Sequence, residues 1–218
     1  MCVNSIEAII FDLDGVLLST DKYHYIAWKA LADELEIPFC EKDNEAFRGV
    51  SRMDCMEILL SKRTSLALTD EQKIFYANKK NDIYRELLET LSEAFIEDEV
   101  RETLASLRQK GYRLAVGSSS KNSKFILNKT NLVSPFDAIV DGNDISRSKP
   151  DPEVFLKAAE QLGVAPERCA VIEDAEAGLA AAVAGGMLPI AIGEARGSRL
   201  AKHFVNSFGE LNDFFVKG

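Results

Sequence analysis

Ile9-Ile10-Phe11-Asp12-Leu13-Asp14-Gly15-Val16 begins apolar and ends in two aspartates one residue apart, followed by glycine. Such a run predicts a buried strand of a parallel sheet, and open α/β sheets carry their reactive groups at strand C-terminal ends. Alternation along a strand would put Asp12 and Asp14 on one face, with Phe11 and Leu13 on the other. Two crowded carboxylates repel unless something cationic joins them, and a magnesium ion carrying a phosphate would supply that charge. A strand running into a polar turn is the plainer explanation of a bare Asp-x-Asp pair. Phe11 before it, Leu13 inside it and Gly15-Val16 behind it favour a reactive site.

Beyond this strand, residues 20–95 carry helical periodicity and almost no strand signal. His24, Trp28, Leu31 and Leu35 recur on one face of a 3.6-residue repeat. Thr69 is placed to cap a long helix that runs to about Leu91. From Asp98 the pattern changes to helices alternating with strands. A helix over 99–110 ends at Gly111, a strand follows over Arg113–Gly117, and a helix is expected from Lys121. Next come a short strand at Ala138–Val140, a helix from Pro152 to Leu162 and a strand from Ala170 to Ile172. A small-residue helix over 175–184 and a strand over Leu188–Ile192 complete the pattern. Alternating strands and helices call for right-handed parallel crossovers. The expected fold is therefore α/β, with a doubly wound, Rossmann-like parallel-sheet core and an inserted α-helical cap. Residues 1–18 and 97–218 would form the core domain, and residues 19–96 the cap.

A chain of 218 residues with 46% hydrophobic content can bury a real core. With 26 Lys plus Arg against 35 Asp plus Glu, the net charge is −9, and no basic patch breaks it. Nucleic acid and anionic membranes are excluded as expected partners. Cys2, Cys40, Cys55 and Cys169 contain no Cys-x-x-Cys pair, so neither a zinc site nor a disulfide framework is expected. No signal-peptide pattern and no apolar run near the ~20 residues of a membrane span are seen, which points to a soluble cytoplasmic protein. A monomer is expected, because a core with its own cap needs no partner to complete a site.

Four polar groups follow or connect the apolar strands. They are Asp12-Leu13-Asp14-Gly15, Ser118-Ser119-Ser120-Lys121-Asn122, Lys149-Pro150-Asp151-Pro152 and Glu173-Asp174. Hydroxyls and free N–H groups where a strand turns into a helix suit an anion such as phosphate. Lys149 would be a cation in a stiff turn, and Glu173-Asp174 would be acids beyond a strand. Taken singly, each has a plain explanation as a cap, a turn or a solvated loop; their order along one α/β chain argues for a single site.

In these four groups the chain resembles the haloacid dehalogenase-like superfamily of phosphotransferases over essentially its whole length. The resemblance implies that Asp12 is a nucleophile forming an aspartyl phosphate and that Asp14 is the general acid/base. It implies Mg2+ held by Asp12, the Asp14 carbonyl and acids from Glu173-Asp174. Ser118, the Ser119 backbone and Lys149 would neutralise the transferring phosphoryl group.

Within that superfamily the helical block resembles the β-phosphoglucomutase family. The segments are Tyr23-His24 with Ala27 to Ala32, the loop Arg48-Gly49-Val50-Ser51-Arg52, and Lys79-Lys80-Asn81-Asp82-x-Tyr84. The family reaction interconverts β-D-glucose 1-phosphate and glucose 6-phosphate through a 1,6-bisphosphate. A mutase needs a second phosphate site, and Arg52 with Ser120, Lys121 and Asn122 could supply it. Thr20, His24, Trp28 and Lys80 would contact substrate from the cap, with Trp28 either shaping the sugar pocket or packing the cap; Gly49, Val50 and Ser51 belong to the gripping loop. His203 is expected at the surface. Ser19 stands where the family commonly has an acidic residue. Glu97-Asp98-Glu99 replaces a Pro-Gly often seen there, which alters the stiffness expected of a hinge between cap and core. A sugar-phosphate phosphatase and a non-catalytic sugar-phosphate sensor are the competing readings.

Overall fold

The computed structural model describes residues 5–216, and Cys2 lies outside them. Cys40, Cys55 and Cys169 are free thiols. The chain divides into two compact units, one up to Ser19 and from Ser92 onward, the other Thr20–Leu91.

The first unit is a six-stranded parallel sheet in the order β3-β2-β1-β4-β5-β6, with helices on both sides. Its strands are β1 (Ala8–Phe11), β2 (Arg113–Gly117), β3 (Ala138–Val140), β4 (Cys169–Glu173), β5 (Leu188–Ala191) and β6 (His203–Phe204). This order follows from two sets of crossovers running outward from β1 in opposite directions. Strands buried on both faces are continuous apolar runs, as Ala8-Ile9-Ile10-Phe11 is. Ala8 and Ile10 pack with Val154, Phe155 and Ala158 of the helix Glu153–Leu162 and with Ala181 and Ala182 of the helix Glu176–Ala184. Phe11 points the other way, its ring 5.5 Å from that of Phe208 and 6.1 Å from that of Phe136. Burial of a side chain the size of Ile10 or Phe11 contributes about 1.5–3 kcal/mol.

Strand β6 and the short helix Leu211–Phe214 carry no apolar run that would announce them. His203 is not simply a surface residue: it is half-buried on edge strand β6, with its ring 5.0 Å from that of Phe214.

The second unit is all helical: α1 (Asp21–Glu34), α2 (Glu41–Glu45), α3 (Arg52–Ser61) and α4 (Asp70–Leu88). Thr69 caps α4 as its spacing predicts. Its hydroxyl accepts from the Gln72 N–H, and the Gln72 side chain accepts from the Thr69 N–H at 2.9 Å, a reciprocal pair. Trp28, Leu31, Phe47, Met56 and Leu59 form the unit's own core. The second boundary falls at 91/92 rather than 96/97, because Glu93 is tied to the sheet unit. Its carbonyl accepts from Arg101 and its carboxylate from Asn131. Among the described residues no helix is long and apolar enough to cross a membrane.

Candidate active site

Strand register builds the site. Phe11 is paired with Val116 of β2 and with Ile172 of β4, so the next residue, Asp12, reaches the carboxyl edge beside Glu173. The Asp12 N–H still donates to the Ile172 carbonyl at 3.0 Å. Between β1 and β4 the strand order reverses, the switch point at which open α/β sheets bind ligands.

β1 stops at Phe11, so Asp12 and Asp14 both lie beyond the strand rather than within it. Gly15, at φ +89°, bends the chain into a turn closed by its own N–H donating to the Leu18 carbonyl at 2.7 Å. A Cβ at Gly15 would overlap the Asp174 carboxylate, so glycine is needed for both conformation and room. Asp14 sits half-buried in this turn.

Asp12, Glu173 and Asp174 each offer a carboxylate oxygen, and these atoms lie within 4.8 Å of one another. The Asp14 carboxylate is not part of this trio, although its charge is felt at Asp174. Lys149 lies among them, its Nζ donating to Asp12 Oδ1 and to Glu173 Oε1, each at 2.5 Å. Burial opposes the Lys149 charge, yet Asp12 and Glu173 overcome it and hold the ammonium protonated above the ordinary lysine range. Burial raises the Glu173 carboxyl to about 7 despite Lys149. Burial, with repulsion from Asp12, Glu173 and Asp14, raises Asp174 to about 8. The cluster is short of positive charge. Clustered hard oxygen donors around a charge deficit fit a small divalent cation.

Ser118 extends β2 by one bond, donating its N–H to the Val140 carbonyl at 3.1 Å. The helix expected from Lys121 starts only at Ser123, so residues 118–122 form a serine turn rather than a helix N-terminus. The hydroxyls themselves cap this turn. Ser118 Oγ accepts from the Ser120 N–H and Ser120 Oγ from the Asn122 N–H, both at 3.2 Å, which gives the backbone an alternative to helix. The Ser119 hydroxyl accepts from the Lys149 N–H at 3.4 Å, linking the turn to the lysine segment. Among the described residues, the Ser118 hydroxyl proton and the N–H groups of Ser119 and Lys121 have no protein acceptor. The turn therefore presents unused donors, the chemistry of an anion site.

In the helical unit, Lys80 is buried and donates to His24 Nδ1 at 2.9 Å. An ammonium has no lone pair, so His24 must accept there and carry its proton on Nε2. Burial, then the charges of Lys80 and Arg52, hold His24 well below its ordinary pKa, in agreement with a neutral ring. The His24 ring stacks on Tyr84, whose hydroxyl lies 2.7 Å from the Thr20 hydroxyl. Nothing in the sequence marks Tyr84 for this role, since its partners Thr20 and His24 lie about sixty residues away on another segment. Trp28 packs the unit's core, its ring edge-on to Phe47 at 5.1 Å, while Lys80 lies 4.8 Å above its face.

The loop before α3 turns at Gly49 and delivers Val50 to the core and Ser51 as the α3 cap. Its two arginines differ. Arg48 is committed to Asp21 at 2.7 Å. Arg52 has one long hydrogen bond, to Asn78 at 3.5 Å, and among the described residues no carboxylate within ion-pair distance.

A family model described as haloacid dehalogenase-like hydrolase matches residues 6–186. The chain is 37% identical over 189 residues to a β-phosphoglucomutase of Bacillus subtilis, covering 86% of this chain and 84% of that one. It is 32% identical to a phosphorylated carbohydrates phosphatase of Thermotoga maritima, over 83% and 82% of the two chains. The crystal structure of a Clostridium difficile β-phosphoglucomutase superposes with a TM-score of 0.87 at 34% identity, over 94% of this chain and 93% of that one. With its sheet order, carboxylate trio and buried lysine in place, the chain belongs to the haloacid dehalogenase-like hydrolase family.

Proposed function

We propose that the protein is a Mg2+-dependent β-phosphoglucomutase interconverting β-D-glucose 1-phosphate and D-glucose 6-phosphate. Two separate provisions for phosphate support this reading. One is Lys149, with Ser118 and the Ser119 backbone, for the phosphoryl group at Asp12; the other is the second-phosphate set of Arg52, Ser120, Lys121 and Asn122, in which Arg52 has, among the described residues, no carboxylate within ion-pair distance. A bisphosphate intermediate needs a cation for the phosphate that is not reacting, and a guanidinium binds phosphate with a two-pronged fork.

Asp12, Glu173 and Asp174 would hold the Mg2+, which when bound supplies positive charge to the phosphoryl oxygens. With Asp12 phosphorylated, Asp14 takes the proton from the free C6 hydroxyl of β-D-glucose 1-phosphate; that oxygen attacks the aspartyl phosphorus, the bond from phosphorus to Asp12 breaks, and the 1,6-bisphosphate forms. In the second half the freed Asp12 carboxylate attacks the phosphorus at C1, the bond from phosphorus to the sugar oxygen breaks, and Asp14 gives that leaving oxygen its proton, so glucose 6-phosphate departs and Asp12 is phosphorylated again. Lys149, the Ser118 hydroxyl and the Ser119 N–H offset charge on the transferring phosphoryl oxygens throughout. In the helical unit, Lys80 and the Nε2–H of His24 are donors suited to sugar and phosphate oxygens, and Thr20 is held by Tyr84. The protein acts on small molecules in the cytoplasm, as a monomer.

The Thermotoga relative gives the phosphatase reading its support, because the same core serves whether water or a sugar hydroxyl takes the phosphoryl group. The sensor reading finds no degraded position among Asp12, Asp14, Lys149, Glu173 and Asp174. Arg52→Ala separates mutase from phosphatase. In a mutase it lowers isomerisation roughly 100-fold, the scale of losing a charged phosphate contact, while single-turnover phosphorylation of Asp12 by a small phosphoryl donor stays near the parent rate. Undiminished isomerisation in Arg52→Ala would exclude this role for Arg52.

A further inference from the structure

The turn after β3, Asp141-Gly142-Asn143-Asp144, lies one strand over from the serine turn, since β3 pairs with β2 in register Gly117↔Val140. It is built before it touches anything else. Asp141 is fully buried, and its Oδ1 accepts from the Asn143 N–H at 2.9 Å and from Asn143 Nδ2 at 3.1 Å. The Asp144 carboxylate accepts from the Asp141 N–H at 2.9 Å and from Lys124 Nζ at 2.7 Å.

This rigid turn then grips the serine turn at two successive carbonyls. The Gly142 N–H donates to the Ser120 carbonyl at 3.1 Å. Asn143 Nδ2 donates to the Lys121 carbonyl at 2.9 Å. The backbones come so close that a Cβ on Gly142 would overlap the Ser119 carbonyl oxygen and lie 2.9 Å from the Lys121 nitrogen. In a trans peptide the C=O and N–H point in opposite directions. Holding the Ser120 carbonyl toward the turn therefore aims the Lys121 N–H away from it, and that N–H is one of the donors without a protein acceptor.

We propose that Asn143, with Gly142 behind it, is a positioning residue for phosphate. The Gly142 N–H fixes the Ser120–Lys121 peptide plane, which carries the open Lys121 N–H, and the Asn143 amide fixes the next plane, whose Asn122 N–H is held by Ser120 Oγ, so that the turn meets the anion already shaped. The inference rests on the reading of residues 118–122 as the phosphate-gripping turn. Asn143 is exposed, so replacing it leaves the core intact.

The test is calorimetric titration of the parent, Asn143→Ala and Asn143→Asp with inorganic phosphate in the presence of Mg2+, and separately with Mg2+ alone. Asn143→Ala is expected to weaken phosphate binding roughly five- to tenfold, the scale of one hydrogen bond. Asn143→Asp should weaken it further, because a carboxylate oxygen would then face the Lys121 carbonyl and the Asp141 carboxylate. Mg2+ affinity, which reports on Asp12, Glu173 and Asp174, should stay at the parent value in both variants. Parent-like phosphate binding in Asn143→Ala overturns the inference. So does an equal loss of phosphate and Mg2+ affinity, which would mark a general structural role. A parent that binds Mg2+ but no phosphate would remove the underlying reading of the turn, and the inference with it.

Discussion

Replacing Asp12 by Asn lowers turnover on the order of 10^4-fold or more, with no phosphorylated enzyme detectable by intact mass. An amide offers no anionic oxygen to phosphorus, and nothing else at the strand end substitutes. Glu173 is engaged by Lys149 at 2.5 Å, and Asp174 is the third member of the carboxylate trio, next to the turn at Gly15. The variant should remain folded, because Lys149 retains Glu173 as a partner. Removing the Asp12 charge also relieves the repulsion that raises both Glu173 and Asp174. Turnover within about tenfold of the parent, from a folded Asp12→Asn protein, would mean that the nucleophile lies elsewhere.

The second large effect is on stability. Lys149→Met keeps the apolar stem over the Phe155 ring but removes the ammonium, which is 4.6 Å from the ring centroid in the parent. Breaking a buried ion pair from one side costs about 3–5 kcal/mol, because the partner charge is left uncompensated. The loss depends on pH in a definite sense. In the parent, Glu173 moves from 4.5 to about 7 and Asp174 from 3.8 to about 8, so the folded state holds protons that the unfolded chain has released. Stability from these two groups is full below their unfolded values and is lost as pH rises to about 8. Without Lys149 both carboxyls rise further, so the decline steepens and extends to higher pH. Added Mg2+ should recover part of it by supplying the missing positive charge. Urea denaturation across this range, with and without Mg2+, reads the effect. A Lys149→Met protein with parental stability at every pH would mean that the buried ammonium does not balance the cluster.

Much of the sheet is visible in the chain because its strands are buried on both sides. Ile9-Ile10-Phe11, Leu114-Ala115-Val116 and Ala170-Val171-Ile172 are apolar runs that need no alternation to be recognised. The helix capped by Thr69 is equally plain, since a reciprocal Thr–Gln cap is a local signal. Local signals are missing where the structure departs from expectation. Phe204 is exposed on β6, so no hydrophobic pattern marks that edge strand. Asp14 lies past the end of β1 in the turn at Gly15, whose left-handed conformation a glycine in sequence does not declare. The serine turn replaces a helical start because hydroxyl-to-backbone bonds compete with the helix. Asn143 reads only as part of a polar turn; that its amide reaches Lys121 depends on the pairing of β2 with β3. Lys149 is legible as a cation in a stiff turn, but its bond to Glu173 depends on long-range packing.

The measurement that bears most directly on the mutase reading is proton-coupled phosphorus NMR of the protein with Mg2+, β-D-glucose 1-phosphate and a trace of the 1,6-bisphosphate. Glucose 6-phosphate should grow at the expense of the starting isomer, with little inorganic phosphate. Inorganic phosphate accumulating in place of glucose 6-phosphate would contradict the account and make the enzyme a sugar-phosphate phosphatase.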